Sequence, residues 1–447
     1  MFEKSSPSRK VTDEKTQESD NDSHPNLSPD DQTLHERTVT SEKLGKYSVG
    51  EAPDGGFKAW SVVVAIALCT FSTFGYINAW GVFQTYYQEN LLSNSTPSNI
   101  AWIGSLQYAL CFMPGLVTGR LFDLGYFKLP YFVSSCILVA CTFLIAECTE
   151  YWQFFLCQGI GVGLSCGIVF GPALGIVSHW FKKKRGLALG LTAIGSSLGG
   201  TIFPIAAQNL FPLIGFKWSV RVFGFILLLT LGISNLLIDR RLPPIKVTGG
   251  LFNWTALRNP AYAVYCLSGC LTFLGLYTVL TYIPVSAAAI GVNNDFAFYL
   301  IAIANGSSAF GRLTAGLLAD KVGALNIMTP FTAVAGILTF AWPFAKSQGA
   351  LVGIAIVYGF SCGAYVSLLA APAIAMGDIG DVGRRVGMFM SFAAIGAVAG
   401  TPISGAINVA TGGFEAMGFY AGGIVIISVL LLLLTRYLHL GHLWGKF

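Results

Sequence analysis

The segment that decides the fold is FEAMGFYAGGIVIISVLLLLLTRYL, from Phe414 to Leu438. Only Glu415 and Arg436, near its two ends, are charged. A helix rises about 1.5 Å per residue, so a run of this length crosses the roughly 30 Å hydrocarbon core of a bilayer. In lipid every backbone N–H and C=O needs a partner within the protein, which a helix supplies. The segment therefore predicts a membrane-spanning helix.

Apolar runs of the same kind recur along the chain of 447 residues. The predicted spans are 59–85, 99–122, 127–147, 151–178, 186–209, 218–238, 259–285, 295–319, 325–344, 349–371, 385–409 and 414–438. The sequence thus predicts an all-α membrane protein with twelve transmembrane helices in two pseudo-symmetric six-helix bundles. These bundles occupy 54–238 and 259–447, the second with a short tail, and a polar connector at 239–258 joins them. Residues 1–53 are polar and are expected to form a disordered cytosolic tail.

Composition excludes several classes of protein. Only 11% of residues are charged and the mean hydropathy is +0.63, whereas soluble domains carry roughly 25% charged residues. An outer-membrane barrel would alternate apolar and polar residues over about ten positions, which these runs do not do. The net charge of +5 comes from short basic clusters between spans, so it predicts no nucleic-acid partner. The expected surroundings are the lipid bilayer, and the chain is expected to be a monomer.

The basic residues predict the orientation in the membrane. With the N-terminus in the cytosol, the inside segments hold fifteen Lys and Arg residues and the outside loops hold three, Lys217, Arg221 and Lys346. The inside set is Arg120, Lys128, Lys182, Lys183, Lys184, Arg185, Arg240, Arg241, Lys246, Arg258, Lys321, Arg384, Arg385, Arg436 and Lys446. Such a bias places both termini in the cytosol. A multi-pass plasma-membrane protein is the expected result.

Two landmarks repeat between the halves of the chain. GRLFDLG starts at Gly119 and GLLADKVG starts at Gly316, a shift of 197 residues. AIGSSLGG starts at Ala193 and AIGAVAGT starts at Ala394, a shift of 201 residues. Duplicated halves are typical of secondary transporters, which bind their solute between the repeats. The repeat therefore predicts transport of a small solute.

The repeated Gly-x-x-x-Asp pattern predicts a gate at the cytosolic ends of helices two and eight. Asp123 and Asp320 can accept hydrogen bonds from a neighbouring helix N-terminus or pair with a basic side chain. The predicted basic partners are Arg120, Arg185 and Lys321. The alternative is that these are solvated loop carboxylates.

Arg312 is the one basic residue deep inside a predicted span. An Arg at that depth costs about 2.5–3.5 kcal/mol on insertion scales, so it should face a watery cavity or a partner. A guanidinium suits a carboxylate, which it can bind through two hydrogen bonds. Ser308 and Asn305 precede it by four and seven residues on the same helix face, and Asn78 and Tyr282 are predicted at similar depth in the two halves. These five residues form the predicted solute site, with an Arg held by helix dipoles as the alternative.

No enzyme, cofactor or metal motif is visible in the spans. The ten cysteines show no CxxC or zinc spacing, and the histidines lie outside the membrane depth. We therefore predict neither a catalytic residue, nor a metal site, nor a cofactor.

Two sequence blocks resemble a known family. PDGGFKAW at Pro53–Trp60 with GYINAWGVFQTYY at Gly75–Tyr87, and HWFKKKRGLALGLTAIGSSLGG at His179–Gly200, resemble the fungal branch of the monocarboxylate porters in the major facilitator superfamily. The resemblance extends from residue 53 to the end. It implies alternating access between two six-helix bundles.

The family's substrate residues match this chain only in part. Animal members use a Lys in helix one and an Asp–Arg pair in helix eight; here the Arg is Arg312, while Ser308 and Asn78 stand at the Asp and Lys positions. The resemblance therefore leaves open whether a proton is coupled.

The sequence leads to a secondary active transporter of a small organic solute, with an organic anion or monocarboxylate-like compound as the expected class. An efflux carrier for a fungal secondary metabolite or a vitamin carrier is the alternative. A nutrient sensor that moves nothing and a membrane-embedded enzyme are rivals of other classes.

The topology can be tested with reporters and glycosylation. Reporters fused to both ends should stay in the cytosol, and Asn94, in the sequon Asn94–Ser95–Thr96, is the acceptor on a predicted outside loop. Asn94→Gln should remove any glycan that glycosidase treatment reveals. A C-terminal reporter on the far side would contradict the twelve-helix arrangement.

Overall fold

The computed structural model describes residues 52–244, 250–442 and 445–447, without the side chains of 97, 98, 294 and 295. The predicted tail at 1–53 lies outside these ranges except for its last two residues, and so does the middle of the connector. Within them the chain is helical and contains no strand.

Ten helices of the described ranges are long and apolar enough to cross a membrane. One of them, Arg185–Leu237, runs for 53 residues and is broken at Gly215, where φ is +76°, so it forms two spans, 185–214 and 216–237. Asn294–Val322 has 29 residues but is not among the ten, because Asn305, Ser307, Ser308 and Arg312 make it more polar. The described residues therefore contain the twelve spans that the sequence predicts.

We number these spans in chain order. They are α1 Phe57–Leu91, α2 Asn99–Asp123, α3 Lys128–Ile145, α4 Tyr151–Trp180, α5 185–214, α6 216–237, α7 Pro260–Ala289, α8 Asn294–Val322, α9 Ala324–Phe344, α10 Gln348–Ala375, α11 Val382–Thr411 and α12 Glu415–Leu440. A short helix, Trp254–Arg258, lies in the connector between α6 and α7. We call the end of the molecule that carries Lys182–Arg185, Arg240 and Lys321 the basic end.

Helix ends follow ordinary capping chemistry. The Thr96 hydroxyl accepts a hydrogen bond from the Asn99 amide at the start of α2, and the Asn259 side chain accepts one from the Ala261 amide at the start of α7. Gly412 and Gly441 end α11 and α12 in the left-handed conformation that glycine tolerates best. These caps satisfy backbone groups that helix ends leave without partners.

The first span is irregular in its middle. A π-helical turn occupies Phe71–Gly75, and the helix breaks before it resumes at Trp80. Asn78 lies at this break, and its backbone N–H still donates to the Phe74 carbonyl at 3.1 Å. Such interruptions in transporters commonly lie beside the solute path.

Glycines let the two bundles approach closely at the basic end. A Cβ on Gly119 of α2 would lie 2.1 Å from the Gly383 carbonyl oxygen of α11. In the other pairing, a Cβ on Gly316 of α8 would lie 2.6 Å from the Gly186 carbonyl oxygen of α5. Backbone therefore meets backbone along α2–α11 and α5–α8, and the basic end is closed.

Arg384 and Arg385, which the charge pattern grouped with the basic residues of the inside segments, lie buried in the first turn of α11, and this helix begins three residues before the predicted span 385–409. Arg385 pairs with Asp381 and also donates to the Ala373 carbonyl at 3.0 Å and the Asp378 carbonyl at 2.7 Å. This clamp fixes the segment between α10 and α11. A buried guanidinium is tolerated here because its hydrogen bonds are satisfied.

Filling the glycine contact should open the basic end. Gly119→Val would collide with the Gly383 carbonyl, and overpacking of this kind costs about 1–3 kcal/mol, which separation of the two bundles would relieve. Spin labels at the exposed Leu124 and Ile379, in a cysteine-free background, should then move apart. Gly232→Val is the matched control, because nothing lies within 4 Å of a Cβ there. Equal distances in both variants would contradict a closed glycine interface.

Candidate functional site

Arg312 of α8 lies between the two bundles and faces α5. Its side chain is 8% exposed, and its Nη1 atom donates to the Ala193 carbonyl and to the Ser196 hydroxyl. Its Nε atom is buried and has no hydrogen-bond partner among the described residues. Both described hydrogen bonds of this guanidinium are donated by Nη1. The N–H groups of Nε and Nη2, on the adjacent edge, can therefore donate to a ligand.

A cavity of about 40 Å³ adjoins Arg312. Its walls come from both bundles. The lining residues include Phe74, Asn78, Phe112, Phe170, Ser196, Tyr277, Arg312 and Ser367. A space of this size holds a few waters at most, whereas sites for small molecules measure roughly 300–1,000 Å³. A solute can therefore bind only when the bundles move apart.

Asn78 and Asn305 meet at Gly200 of α5. Asn78 Oδ1 accepts a hydrogen bond from the Tyr108 hydroxyl at 2.7 Å, and Asn305 Nδ2 donates to the Gly200 carbonyl at 3.0 Å. A Cβ on Gly200 would lie 2.9 Å from Asn78 Nδ2 and 3.3 Å from Asn305 Cγ. The structure thus brings these two predicted residues together, although only Asn78 lines the cavity.

Ser308 joins α8 to α5 rather than facing the cavity. Its hydroxyl lies 2.6 Å from the Ser197 hydroxyl and donates to the Asn305 carbonyl at 2.7 Å. The residue is 5% exposed. A neutral hydroxyl pair therefore occupies the position beside Arg312 where the resembling family places an acid.

Tyr282 lies away from Arg312, contrary to the sequence prediction. Its hydroxyl donates to the Thr401 carbonyl of α11 at 3.2 Å, and Tyr277 lines the cavity in its place. Tyr282 follows Tyr277 by five residues, which is well over one helical turn along α7. The internal repeat could have predicted Tyr277, because Asn78 and Tyr277 are 199 positions apart, between the two repeat shifts of 197 and 201.

Asp123 and Asp320 each bind the N-terminus of a helix in the opposite bundle. The Asp123 carboxylate accepts from the Gly383 and Arg384 amides of α11, both at 2.8 Å. The Asp320 carboxylate accepts from the Gly186 amide at 2.6 Å and from the Leu187 amide at 2.9 Å, both in α5. The two contacts are pseudo-symmetric, and both lie at the basic end.

The predicted basic partners of these carboxylates are placed differently. Arg185 begins α5, and its Nε donates to the Phe181 carbonyl at 3.3 Å, while Lys321 is exposed. Among the described residues, neither carboxylate forms a salt bridge with Arg185 or Lys321. Backbone amides are favourable partners for these carboxylates because helix N-termini carry partial positive charge.

The two sequence blocks that carry the family resemblance contact each other. Asp54 Oδ1 accepts from the amides of Lys182, Lys183 and Lys184, at 2.7, 2.7 and 3.1 Å. Lys58 pairs with Asp239 at 2.6 Å. The start of α1 is therefore tied to the α4–α5 loop and to the connector.

Arg240 of the connector lies beside the gate, and the sequence analysis had not singled it out. Its guanidinium carbon lies 4.7 Å from the centre of the Phe122 ring, and Nη1 donates to the Phe122 carbonyl. Phe122 precedes the gate residue Asp123. The connector thus supports the end of α2 directly.

Asn94 lies at the opposite end of the molecule from the basic end. It is exposed in the loop between α1 and α2, which fits an acceptor but does not test its use. At the same end Lys217 and Arg221 pair with Glu147 at 3.2 and 2.6 Å, and they hold the pKa of that carboxyl below its usual range. No cluster of metal-binding side chains occurs in the described ranges.

Neutralising the gate carboxylates should loosen the basic end. Asp123→Asn and Asp320→Asn keep one acceptor oxygen but lose the charge, which at a helix N-terminus is worth about 0.3–2 kcal/mol. Alkylation of a Ser367→Cys cavity reporter from the basic side of inside-out vesicles should become faster, most of all in the double mutant. Asp239→Asn removes a carboxylate at the same end without touching the opposite bundle, and should leave the rate unchanged. Unaltered alkylation in every variant would reduce Asp123 and Asp320 to loop carboxylates.

Comparisons with known proteins agree with this architecture. The sequence model of the Major Facilitator Superfamily matches residues 61–376. The Aspyridones efflux protein apdF of Emericella nidulans is 37% identical over 376 residues, which cover 84% of this chain and 77% of the relative. The Agnestins efflux protein AgnL12 of Paecilomyces divaricatus is 35% identical over 379 residues, which cover 85% of this chain and 87% of the relative.

Solved structures share the fold at low identity. The crystal structure of the human organic anion transporter MFSD10 (TETRAN) superposes with a TM-score of 0.67 at 15% identity, covering 85% of this chain and 100% of that one. Family match, relatives and fold together make this chain a member of the major facilitator superfamily, a multi-pass integral membrane transporter.

Proposed function

We propose that this chain exports a small organic metabolite by alternating access, and that it binds an acidic group of the solute at Arg312. The relatives named as efflux proteins favour export of a secondary metabolite, the alternative in the sequence analysis, over the broader monocarboxylate-like class. Of the two alternatives, the names of these relatives favour the metabolite over the vitamin. The monocarboxylate-porter subfamily stays a prediction.

The observation that carries the proposal is the state of the Arg312 guanidinium. It is buried, its described partners are a carbonyl and a hydroxyl, and no salt bridge neutralises it among the described residues. A buried charge without a counter-charge is costly unless a ligand supplies one. A carboxylate, enolate or phenolate on the Nε–Nη2 edge would provide both the charge and two hydrogen bonds.

The two cross-bundle contacts support the proposed alternating access. In the present structure Asp123 and Asp320 close the basic end, which the distribution of Lys and Arg places in the cytosol. Loading from the cytosol requires both contacts to break, and release requires them to form again. The carrier would act as a monomer in the plasma membrane, with both termini cytosolic; whether a proton is coupled stays open.

The function can be tested by comparing the metabolites of cells with and without the protein. A compound that accumulates inside the deletion strain and disappears from its medium identifies the solute. Its flux is then measured in proteoliposomes. Flux in the purified system excludes a non-transporting sensor, whereas chemical conversion of the compound would indicate an enzyme instead.

Substitutions of Arg312 should separate charge from geometry. Arg312→Gln should abolish flux of an anionic solute with normal surface expression, because the counter-charge is gone. Arg312→Lys keeps the charge but lacks the planar fork, so flux should fall at least several-fold. Wild-type flux in Arg312→Gln, normalised to surface protein, would contradict the anion site.

Ser308→Asp should weaken anion binding. An acid at this position could pair with Arg312 and compete with the solute, and protonation of that acid would relieve the competition. Flux of the Ser308→Asp variant should therefore rise as the external pH falls. Wild-type flux is measured over the same pH range as the reference. The control Ser307→Asp adds the same charge one residue away. Equal pH profiles in both variants would argue against a specific interaction between the introduced carboxylate and Arg312.

A further inference from the structure

A chain of aromatic contacts surrounds the Arg312 cavity and crosses from one bundle to the other. The centres of neighbouring rings are 4.6 Å apart for Phe74–Phe170, 5.0 Å for Phe74–Phe112, 5.2 Å for Phe112–Phe273, 5.7 Å for Phe273–Tyr277 and 6.3 Å for Tyr108–Tyr277. These spacings lie in the range in which ring pairs attract each other. The chain joins α1, α2 and α4 to α7.

Two of these contacts differ from ordinary core packing. Phe112–Phe273 and Tyr108–Tyr277 join rings of opposite bundles, and both pairs must separate when the bundles move apart. Tyr277 is half-buried and lines the cavity with Phe112 and Arg312. A core cluster would keep its partners through the transport cycle, whereas these rings lose theirs.

We infer that the solute is a planar aromatic monoanion. Its acidic group lies on the Nε–Nη2 edge of Arg312, and its ring system lies between Phe112 and Tyr277. Arg312 is the one charged side chain among the described residues that line the cavity, which matches a single negative charge. The inference rests on the proposed function and adds the shape of the solute to it.

The energetics of opening support a flat ring over an alkyl chain. Ring pairs across the bundles stabilise the empty, contracted cavity beyond the area that they bury. When the bundles separate, an aromatic solute restores ring-to-ring contact on both sides. A saturated solute of equal size buries similar area but does not restore these contacts.

Binding to the purified full-length chain in detergent tests this inference with three matched probes. They are 2-naphthalenesulfonate, its saturated analogue decahydronaphthalene-2-sulfonate, and the neutral 2-naphthalenesulfonamide. The aromatic anion should bind about 10-fold more tightly than the saturated anion, since two ring contacts are gained. The neutral probe should bind more weakly than the aromatic anion.

Variants of the two α7 tyrosines provide the matched controls. Tyr277→Leu should remove most of the preference for the aromatic anion. Tyr277→Phe keeps the ring, so it should retain this preference and show that a substitution at this position leaves the site folded. Tyr282→Leu removes a ring of the same helix outside the cavity and should retain the preference too. Loss of the preference in Tyr282→Leu but not in Tyr277→Leu would overturn the assignment.

The outcomes separate this inference from the proposed function. Equal binding of both sulfonates that disappears in Arg312→Gln would overturn the aromatic preference and leave the anion site standing. Binding of the sulfonates that is unaffected by Arg312→Gln, or no binding of any probe, would count against the anion site and the aromatic inference together.

Discussion

Two carboxylates that cap helices of the opposite bundle hold the basic end closed, and the contracted cavity depends on them. Each of Asp123 and Asp320 satisfies two amides that a helix start leaves without partners. Each bundle gives one carboxylate and receives one, so the closure has the pseudo-symmetry of the chain. A contact of this kind contributes about 0.3–2 kcal/mol, which holds a state without making it permanent. Such modest energies suit an interface that has to open in every cycle.

The glycines and Arg312 lie on the same interface between the bundles but at different depths, and they contribute differently to it. Gly119 and Gly316 bring backbones together at the basic end, so few side chains have to disengage there. Deeper in the membrane, Arg312 keeps its charge by donating to neutral oxygens of α5. Those neutral partners hold the guanidinium in place without neutralising its charge, which the proposed function assigns to the solute. On that proposal, closure and recognition lie at different depths of one interface.

Local signals predicted most of the fold, and contacts between distant segments supplied the rest. Apolar length locates the twelve spans, because lipid forces each to satisfy its own backbone. The repeat singled out both carboxylates that contact helix N-termini of the opposite bundle. It could not show that their partners are amides of α5 and α11, since backbone amides leave no mark in a sequence. Depth alone suggested Tyr282, whereas the geometry of α7 places Tyr277 in the cavity. The carbonyls that bind Arg385 are equally invisible in the sequence, which therefore could not show that this arginine is buried and held in place.

The cap at Asp54 has a consequence for how the protein is made. Its amide partners at Lys182, Lys183 and Lys184 come 128 to 130 residues later in the chain. During synthesis the first helix is therefore made without these three hydrogen bonds, which can form only after four helices and the following loop have been made. A chain that ends within α4 would lack the three amides, and the start of its first helix could not be capped in this way.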